Sequence, residues 1–314
     1  MLFLNVRFRI NLSLFFILFV LGCNTLAAKD LYYATPRAVQ KLDAPIHIKL
    51  TDWSAEYFVI PVMINEKGPY HFMIDTGMSY STLSKKLAQD LNLTFIKKGI
   101  DTGNYTRREA QFYKIASIGL GQAKLYDYEV KVFAEPSIIS AMHHDKNLAI
   151  DGILGIGAFH HYLFTLDHLR NEIILESAQL DPKKPGVFPF ADTQRVPGIM
   201  LTLKDETHTL TIPCLIDSGY NGYFTIPTSV SIPFKKLQEK MVKARSGINE
   251  YIVYKYQLDA NATFADQHIL NPEVLYGNGI FGVSGSFFGL IGLYVINEHK
   301  VTLDLQNRLL RIEE

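Results

Sequence analysis

The chain has 314 residues, 48% of them apolar, with 31 basic and 31 acidic side chains and no net charge. That length and apolar share can bury one large core or two moderate ones, and zero net charge argues against a nucleic-acid partner, which would need a basic face. Two cysteines imply no disulfide framework, while abundant Gly, Tyr and Phe with few periodic helical stretches predict an all-β fold.

The amino end reads as a targeting segment. Arg7 and Arg9 precede an apolar run, 10–22, interrupted only by Asn11 and Ser13. The run is too short for a comfortable membrane span and fits a cleaved signal peptide. It ends in Val20-Leu21-Gly22-Cys23, which resembles a bacterial lipobox. On that resemblance 1–23 is a lipoprotein-type signal, Cys23 is lipidated, and the mature chain sits on the periplasmic side of a bacterial membrane. Ordinary cleavage after Thr25-Leu26-Ala27 is the alternative. Residues 24–45 are polar and mixed, and read as a tether or pro-segment.

A first β-rich lobe is expected over 46–180. It opens with a strand at 58–64 and reaches Phe72-Met73-Ile74-Asp75-Thr76-Gly77, an apolar run that ends abruptly in a carboxylate. A charge at the inner end of a buried strand is costly unless it is hydrogen-bonded or paired. The Thr hydroxyl and the turn-permitting Gly are the local chemistry that can hold it there. A helix over 85–91, capped by Ser81 or Ser84, presents Leu83, Leu87 and Leu91 on one face. Asp101-Thr102-Gly103 repeats the bare triplet but follows Lys97-Lys98-Gly99, so it lacks the buried-strand context and reads as a decoy. Strands at 115–120 and 128–132 follow. Asp151-Gly152-Ile153-Leu154-Gly155 leads to a strand pair, 164–167 and 173–175.

The proline- and glycine-rich stretch 181–198 reads as a linker, and a second lobe is expected over 199–314. It repeats the landmarks: an opening strand at 199–203, then Cys214-Leu215-Ile216-Asp217-Ser218-Gly219. A helix is expected from a Ser231 cap through Pro233, Phe234, Leu237 and Met241. Gly289-Leu290-Ile291-Gly292 comes next, then strands at 301–304 and 309–312. Asp217 follows Asp75 by 142 residues, Gly292 follows Gly155 by 137, and Asp304 follows Asp167 by 137. Ordered landmarks at nearly constant offset indicate an internal duplication.

With both triplets and both downstream glycines in place, residues 46–314 resemble the aspartic proteases of the pepsin and retropepsin type, in a bacterial two-lobed single-chain form. The resemblance implies a bilobal acid-protease fold of two pseudo-twofold-related lobes, with about one short helix each. It implies endopeptidase activity from an Asp75/Asp217 dyad, supported by Thr76, Gly77, Ser218, Gly219, Gly155 and Gly292. Met78 and Tyr220 stand where the family commonly has smaller residues. Flap hairpins are placed near Gly103-Asn104-Tyr105 and near Ser246-Gly247. No cofactor or metal is implied; the partner is a polypeptide substrate, and the chain is expected to act as a monomer. A non-catalytic peptide-binding lipoprotein of the same fold, or a narrow-specificity processing protease for one envelope partner, are the alternative readings.

Other chemistry finds little footing. His143-His144-Asp145, His160-His161 and His168 lack metal-ligand spacing. Gly155-Ile156-Gly157 has no following Lys-[Ser/Thr] for a phosphate loop, and no nucleophile elbow starts a serine triad. Cys214 reads as a small buried hydrophobe.

Overall fold

The computed structural model describes residues 34–51, 57–101, 108–133, 139, 150–193, 196–246, 249–277 and 289–314. They belong to one compact unit, 33–314, and the chain there is nearly all strand. The first half contributes β1 (Ala38–Val39), β2 (Ile46–Lys49), β3 (Val59–Ile64), β4 (Lys67–Asp75), β5 (Thr82–Leu83), β6 (Thr94–Asp101), β7 (Arg108–Leu120), β8 (Ala123–Phe133), β9 (Gly152–Gly155), β10 (Leu163–Asp167) and β11 (Glu172–Glu176). The second contributes β12 (Val187–Pro189), β13 (Ala191–Thr193), β14 (Val196–Lys204), β15 (Thr209–Asp217), β16 (Phe224–Ile226), β17 (Lys236–Ser246), β18 (Asn249–Leu258), β19 (Asn261–Phe264), β20 (Gln267–Leu270), β21 (Glu273–Tyr276), β22 (Gly289–Gly292), β23 (Lys300–Asp304) and β24 (Leu309–Glu313).

The duplication is visible in strand order. One sheet runs β1-β8-β5-β9-β4-β3-β7-β6, and another runs β17-β18-β21-β16-β22-β15-β14-β19-β20. Within them β8-β5-β9-β4-β3-β7 and β21-β16-β22-β15-β14-β19 are the same arrangement. In each, a glycine-bounded strand is parallel to the strand ending in Asp and antiparallel to the short strand beyond it. The registers agree: Asp75 lies opposite Gly155 and Asp217 opposite Gly292. These inner strands are buried on both faces, so Phe72, Met73, Ile74 and Asp75 are all covered, which explains why the sequence there is a continuous apolar run rather than an alternation.

A third sheet, β12-β24-β23-β10-β11-β2, joins strands of both halves. At its centre β10 and β23 are antiparallel with Thr165 opposite Thr302, and the two buried hydroxyls are hydrogen-bonded at 3.0 Å. These residues are 137 apart, the repeat offset itself. Each is therefore paired with its own repeat equivalent, which places the pseudo-twofold axis between them. The flanking hairpins match as well: Asp167 accepts from the Arg170 amide and Asp304 from the Asn307 amide. Asn171 and Arg308, again 137 apart, both take positive φ, 55° and 56°.

The helix over 85–91 forms as α1 (Lys85–Asp90), and it is Ser84 that caps it, accepting from the Leu87 amide at 3.1 Å. The helix expected from Ser231 to Met241 does not form; Lys236–Ser246 is strand β17, paired along its length with β18. The expected apolar stripe is not buried, since Leu237 and Met241 are 43% and 67% exposed. Lys, Gln, Glu and Met favour helix locally, but the Tyr-rich β18 supplies a cross-strand partner that outweighs that preference. The repeat gives the same answer: shifted by 142, β17 coincides with β6, not with α1. The one α-helix described in the second half, α2 (Leu293–Ile296), instead follows Gly292.

Residues 34–45 are not a free tether. β1 pairs with β8, Leu42 is buried, and its amide donates to Ser177 Oγ at 2.9 Å. Within 181–198, β12 pairs with β24 and β13 with β14, leaving the turns at 181–186 as the irregular stretch. The proposed signal, Cys23, the flap expected near Gly103-Asn104-Tyr105, and Gly247 of the one expected near Ser246-Gly247 lie outside the described residues.

The Thr165–Thr302 contact gives a stability test. Thr165→Val or Thr302→Val leaves one buried hydroxyl unpaired and should each cost about 1–3 kcal/mol, whereas the double variant should cost much less than the sum. Urea unfolding of the four proteins measures this.

Candidate active site

Each Asp sits at the carboxyl end of a buried strand whose next residues turn sharply. Asp75 ends β4 and Asp217 ends β15. The turns are locked to each other by four buried hydrogen bonds. The Thr76 amide donates to Ser218 Oγ at 3.0 Å and the Ser218 amide to Thr76 Oγ1 at 2.9 Å. Thr76 Oγ1 donates to the Ile216 carbonyl at 2.7 Å and Ser218 Oγ to the Ile74 carbonyl at 2.9 Å. Each hydroxyl thus accepts once and donates once, so its rotamer is fixed. Both side chains are fully buried, where a missing partner costs the full desolvation of the group left behind.

This lock brings the carboxylates together. The Gly77 amide donates to Asp75 Oδ1 and the Gly219 amide to Asp217 Oδ1, both at 2.9 Å. The same glycines also face the opposite Asp. A Cβ on Gly77 would stand 2.5 Å from Asp217 Cγ, and one on Gly219 would stand 2.5 Å from Asp75 Cγ. No side chain fits at either place, so glycine is required by close approach rather than by backbone angle.

Gly155 and Gly292 serve the next layer. A Cβ on Gly155 would stand 2.6 Å from the Tyr80 carbonyl oxygen, and one on Gly292 would stand 2.8 Å from that of Tyr220. The following amides, Ile156 and Leu293, donate to the carbonyls of Met78 and Tyr220 at 2.8 and 2.7 Å. The two loops are therefore clamped from below by equivalent bonds.

Two contributions are invisible in the motif. Ser81 is not a helix cap: its Oγ accepts from the Gly155 amide at 3.0 Å and lies 2.8 Å from the buried Tyr128 hydroxyl. Tyr223, 142 residues on, occupies Ser81's place and offers its backbone carbonyl to the Gly292 amide at 2.7 Å. The repeat offset marks both positions, but nothing in their residue types signals the shared task.

Burial pushes the Asp75 carboxyl well above its ordinary 3.8, and the neighbouring Asp217 charge adds to the rise, against the pull of the Gly77 and Met78 amides. Burial also raises Asp217, opposed by the Gly219 amide and by a hydrogen bond from Asp75. Two carboxyls this close cannot both ionise easily. Cys214, buried in the strand below, has its thiol pushed up by burial, the opposite of what an attacking thiolate needs.

The remaining sequence candidates stay apart from this pair. Asp101 is the last residue of β6, on the edge of its sheet, and Thr102-Gly103 lie outside the described residues. Among the described residues no three His, Cys, Asp or Glu side chains gather around a metal-sized site. His161 instead bonds the Pro36 carbonyl, and His168 meets the Phe58 ring edge-on. His143-His144 are outside the described residues.

Residues 60–158, which include Asp75 and Gly155, match the aspartyl protease family. A crystal structure of a retropepsin-like aspartic protease from Rickettsia conorii is similar at 20% identity, covering 44% of this chain and 91% of that one with a TM-score of 0.29. No curated protein matches. The aspartyl protease match stops before the second triplet, so Asp217 enters the site through the geometry and the duplication.

Thr76→Val should unpair the Ser218 amide and the Ile216 carbonyl and cost about 2–5 kcal/mol, while Thr76→Ser should restore most of it. The dyad itself makes stability pH-dependent. Because folding raises its pKa, its contribution is complete below the ordinary carboxylate value of 3.8 and is lost as the pH climbs through the raised value. Asp75→Asn removes the Asp75 share of that dependence and leaves the rise that burial gives Asp217, so urea titrations should show the variant gaining on the wild type as the pH rises to neutral.

Proposed function

We propose that this chain is an aspartic endopeptidase in which Asp75 and Asp217 activate water between the two halves. The observation that carries the reading is the reciprocal Thr76–Ser218 lock, which sets a carboxyl from each half against the glycine of the other. A buried pair of aspartates sharing a proton is expensive to maintain and serves no packing purpose. It does supply what amide hydrolysis needs.

The ionised carboxylate takes a proton from a water while the neutral carboxyl donates its own to the scissile carbonyl oxygen. The water oxygen adds to the carbonyl carbon and gives a tetrahedral diol. Return of a proton to the amide nitrogen then breaks the C–N bond, releasing an acid and an amine. No cofactor takes part in these steps. The Gly77 and Gly219 amides, each on one carboxylate oxygen, hold both groups in place beside the space between them. The ring of Tyr220, the residue after Gly219, packs against Gly222 and Gly292, the layer beneath the second loop.

The substrate is a polypeptide, and both aspartates come from one chain, so the active species is a monomer. Export follows from the basic flank and short apolar run at the amino end, with Cys23 as the acylated residue that holds the enzyme to the periplasmic side of the membrane.

On a proteome-derived peptide library, Asp75→Asn and Asp217→Asn should each lower cleavage by about 10²–10⁴-fold, and the double variant should be no worse than either, as for groups acting as one unit. Asp101→Asn should cleave like the wild type, and a pepstatin-type inhibitor should block all residual activity. A single Asn variant that keeps most of the rate would eliminate the dyad. Intact-mass analysis of protein from a bacterial membrane fraction should find an acylated Cys23 at the new amino terminus; a soluble form beginning at Ala28 would show ordinary cleavage.

A further inference from the structure

Residues 34–42 form a strap on the first half, and its hold is spread along its length. The Arg37 and Gln40 amides donate to the Tyr126 and Lys124 carbonyls of β8 at 3.0 and 2.9 Å. The Tyr162 hydroxyl donates to the Gln40 carbonyl at 2.7 Å, and His161 Nε2 donates to the Pro36 carbonyl at 3.1 Å. Ala34, Pro36 and Leu42 are buried.

His161 and Tyr162 end a segment that begins beneath the first aspartate. Gly155 closes β9 opposite Asp75, and the buried turn 156–159 follows at once. Its first amide, Ile156, holds the Met78 carbonyl at 2.8 Å. A Cβ on Gly157 would stand 2.7 Å from the Ser79 carbonyl oxygen and 2.7 Å from that of Ala34. The first belongs to the loop after Asp75, the second to the strap. Segment 155–162 therefore meets the aspartate loop with its leading end and grips the strap with its trailing end.

The duplication supplies a comparison. At the 137-residue offset Gly157, His161 and Tyr162 correspond to Tyr294, Glu298 and His299. The Leu293 amide still holds the Tyr220 carbonyl, so the link to the aspartate loop is kept. The strap-binding features are not. Tyr294 is 41% exposed where Gly157 is buried, Glu298 is exposed, and His299 bonds the Val295 carbonyl of its own turn at 2.7 Å. Covering the edge of β8 would account for β1. It does not account for a glycine, a histidine and a tyrosine that fit the strap to the turn beneath Asp75.

We infer that the strap is a positioning element for the loop bearing Asp75, with no counterpart at the loop bearing Asp217 among the described residues. The inference rests on the aspartate pair being the catalytic centre. Held by His161 and Tyr162, the strap seats segment 155–162 against the backbone of Met78 and Ser79. Residues 34–42 then belong to the working enzyme rather than to a removable pro-segment.

The test uses the full chain with His161→Ala and Tyr162→Phe together. Amide hydrogen exchange should quicken about tenfold over 76–80 and at Ile156, as loss of a buried hydrogen bond would give. It should stay unchanged over 218–222 and at Leu293. In peptide cleavage kcat should fall about tenfold with KM nearly unchanged, as for a displaced catalytic group. Tyr162→Phe alone, which keeps the packing of the ring, should move both readouts the same way by less, and it decides the matter where the pair fails to fold. Equal acceleration in both loops would mark a general loss of stability and overturn the inference. So would unchanged exchange over 76–80, or a wild-type kcat despite quickened exchange. A wild type that cleaves no peptide would defeat the catalytic reading, and the exchange contrast would still decide whether the strap braces this loop.

Discussion

Everything at the centre of this molecule depends on two hydroxyls that each reach across to the other half. Thr76 and Ser218 have little freedom left: each hydroxyl both donates to and accepts from the backbone of the opposite half. The consequence is mechanical. Two carboxyls are held close by neutral groups one residue away, and burial, with the Asp217 charge added at Asp75, raises the pKa of each. A looser connection would let the aspartates move apart and ionise independently.

The strand scaffold explains why so few residues suffice. In both halves the Asp-bearing strand is flanked by a parallel glycine-bounded strand in the same register. The turn after Asp is therefore pinned on its lower side before the Thr–Ser lock is added. Positioning comes from regular backbone pairing, which tolerates sequence change, and only the atoms at the turn itself are chemically specified. That division accounts for a site whose halves share Asp, a hydroxyl and Gly and differ almost immediately afterwards, Met78 against Tyr220 and Ser81 against Tyr223.

The legibility of the sequence follows the same division. Buried carboxylates announce themselves because an apolar run ending in Asp-[Thr/Ser]-Gly has few other physical explanations, and the nearly constant offset relates Asp217 to Asp75 without any knowledge of distance. Strand pairs such as β10–β11 and β23–β24 are legible for the same reason. The Ser231–Met241 segment misleads because its apolar spacing fits a helix, while the decisive factor, a partner strand beginning at Asn249, is not local. Ser81 reads as a cap because a serine ahead of a helix ordinarily is one; its real partners, Gly155 and Tyr128, are 74 and 47 residues away. Long-range hydrogen bonds of single polar residues leave no periodic trace.

The sheet centred on Thr165 and Thr302 has a bearing on how the chain is made. β10 is complete once about half the polypeptide has been synthesised, yet its partner β23 comes at 300–304. During synthesis the inner edge of β10 stays without its neighbour, presenting unpaired backbone groups in a segment whose side chains are all buried in the finished protein. Closure of this sheet is thus a late, non-local event, of the kind that slows folding and exposes intermediates to aggregation. A protein with this wiring, if it crosses a membrane unfolded, reaches its native state only after nearly the whole chain has arrived, so the shared sheet also sets the moment at which the two carboxylates can first meet.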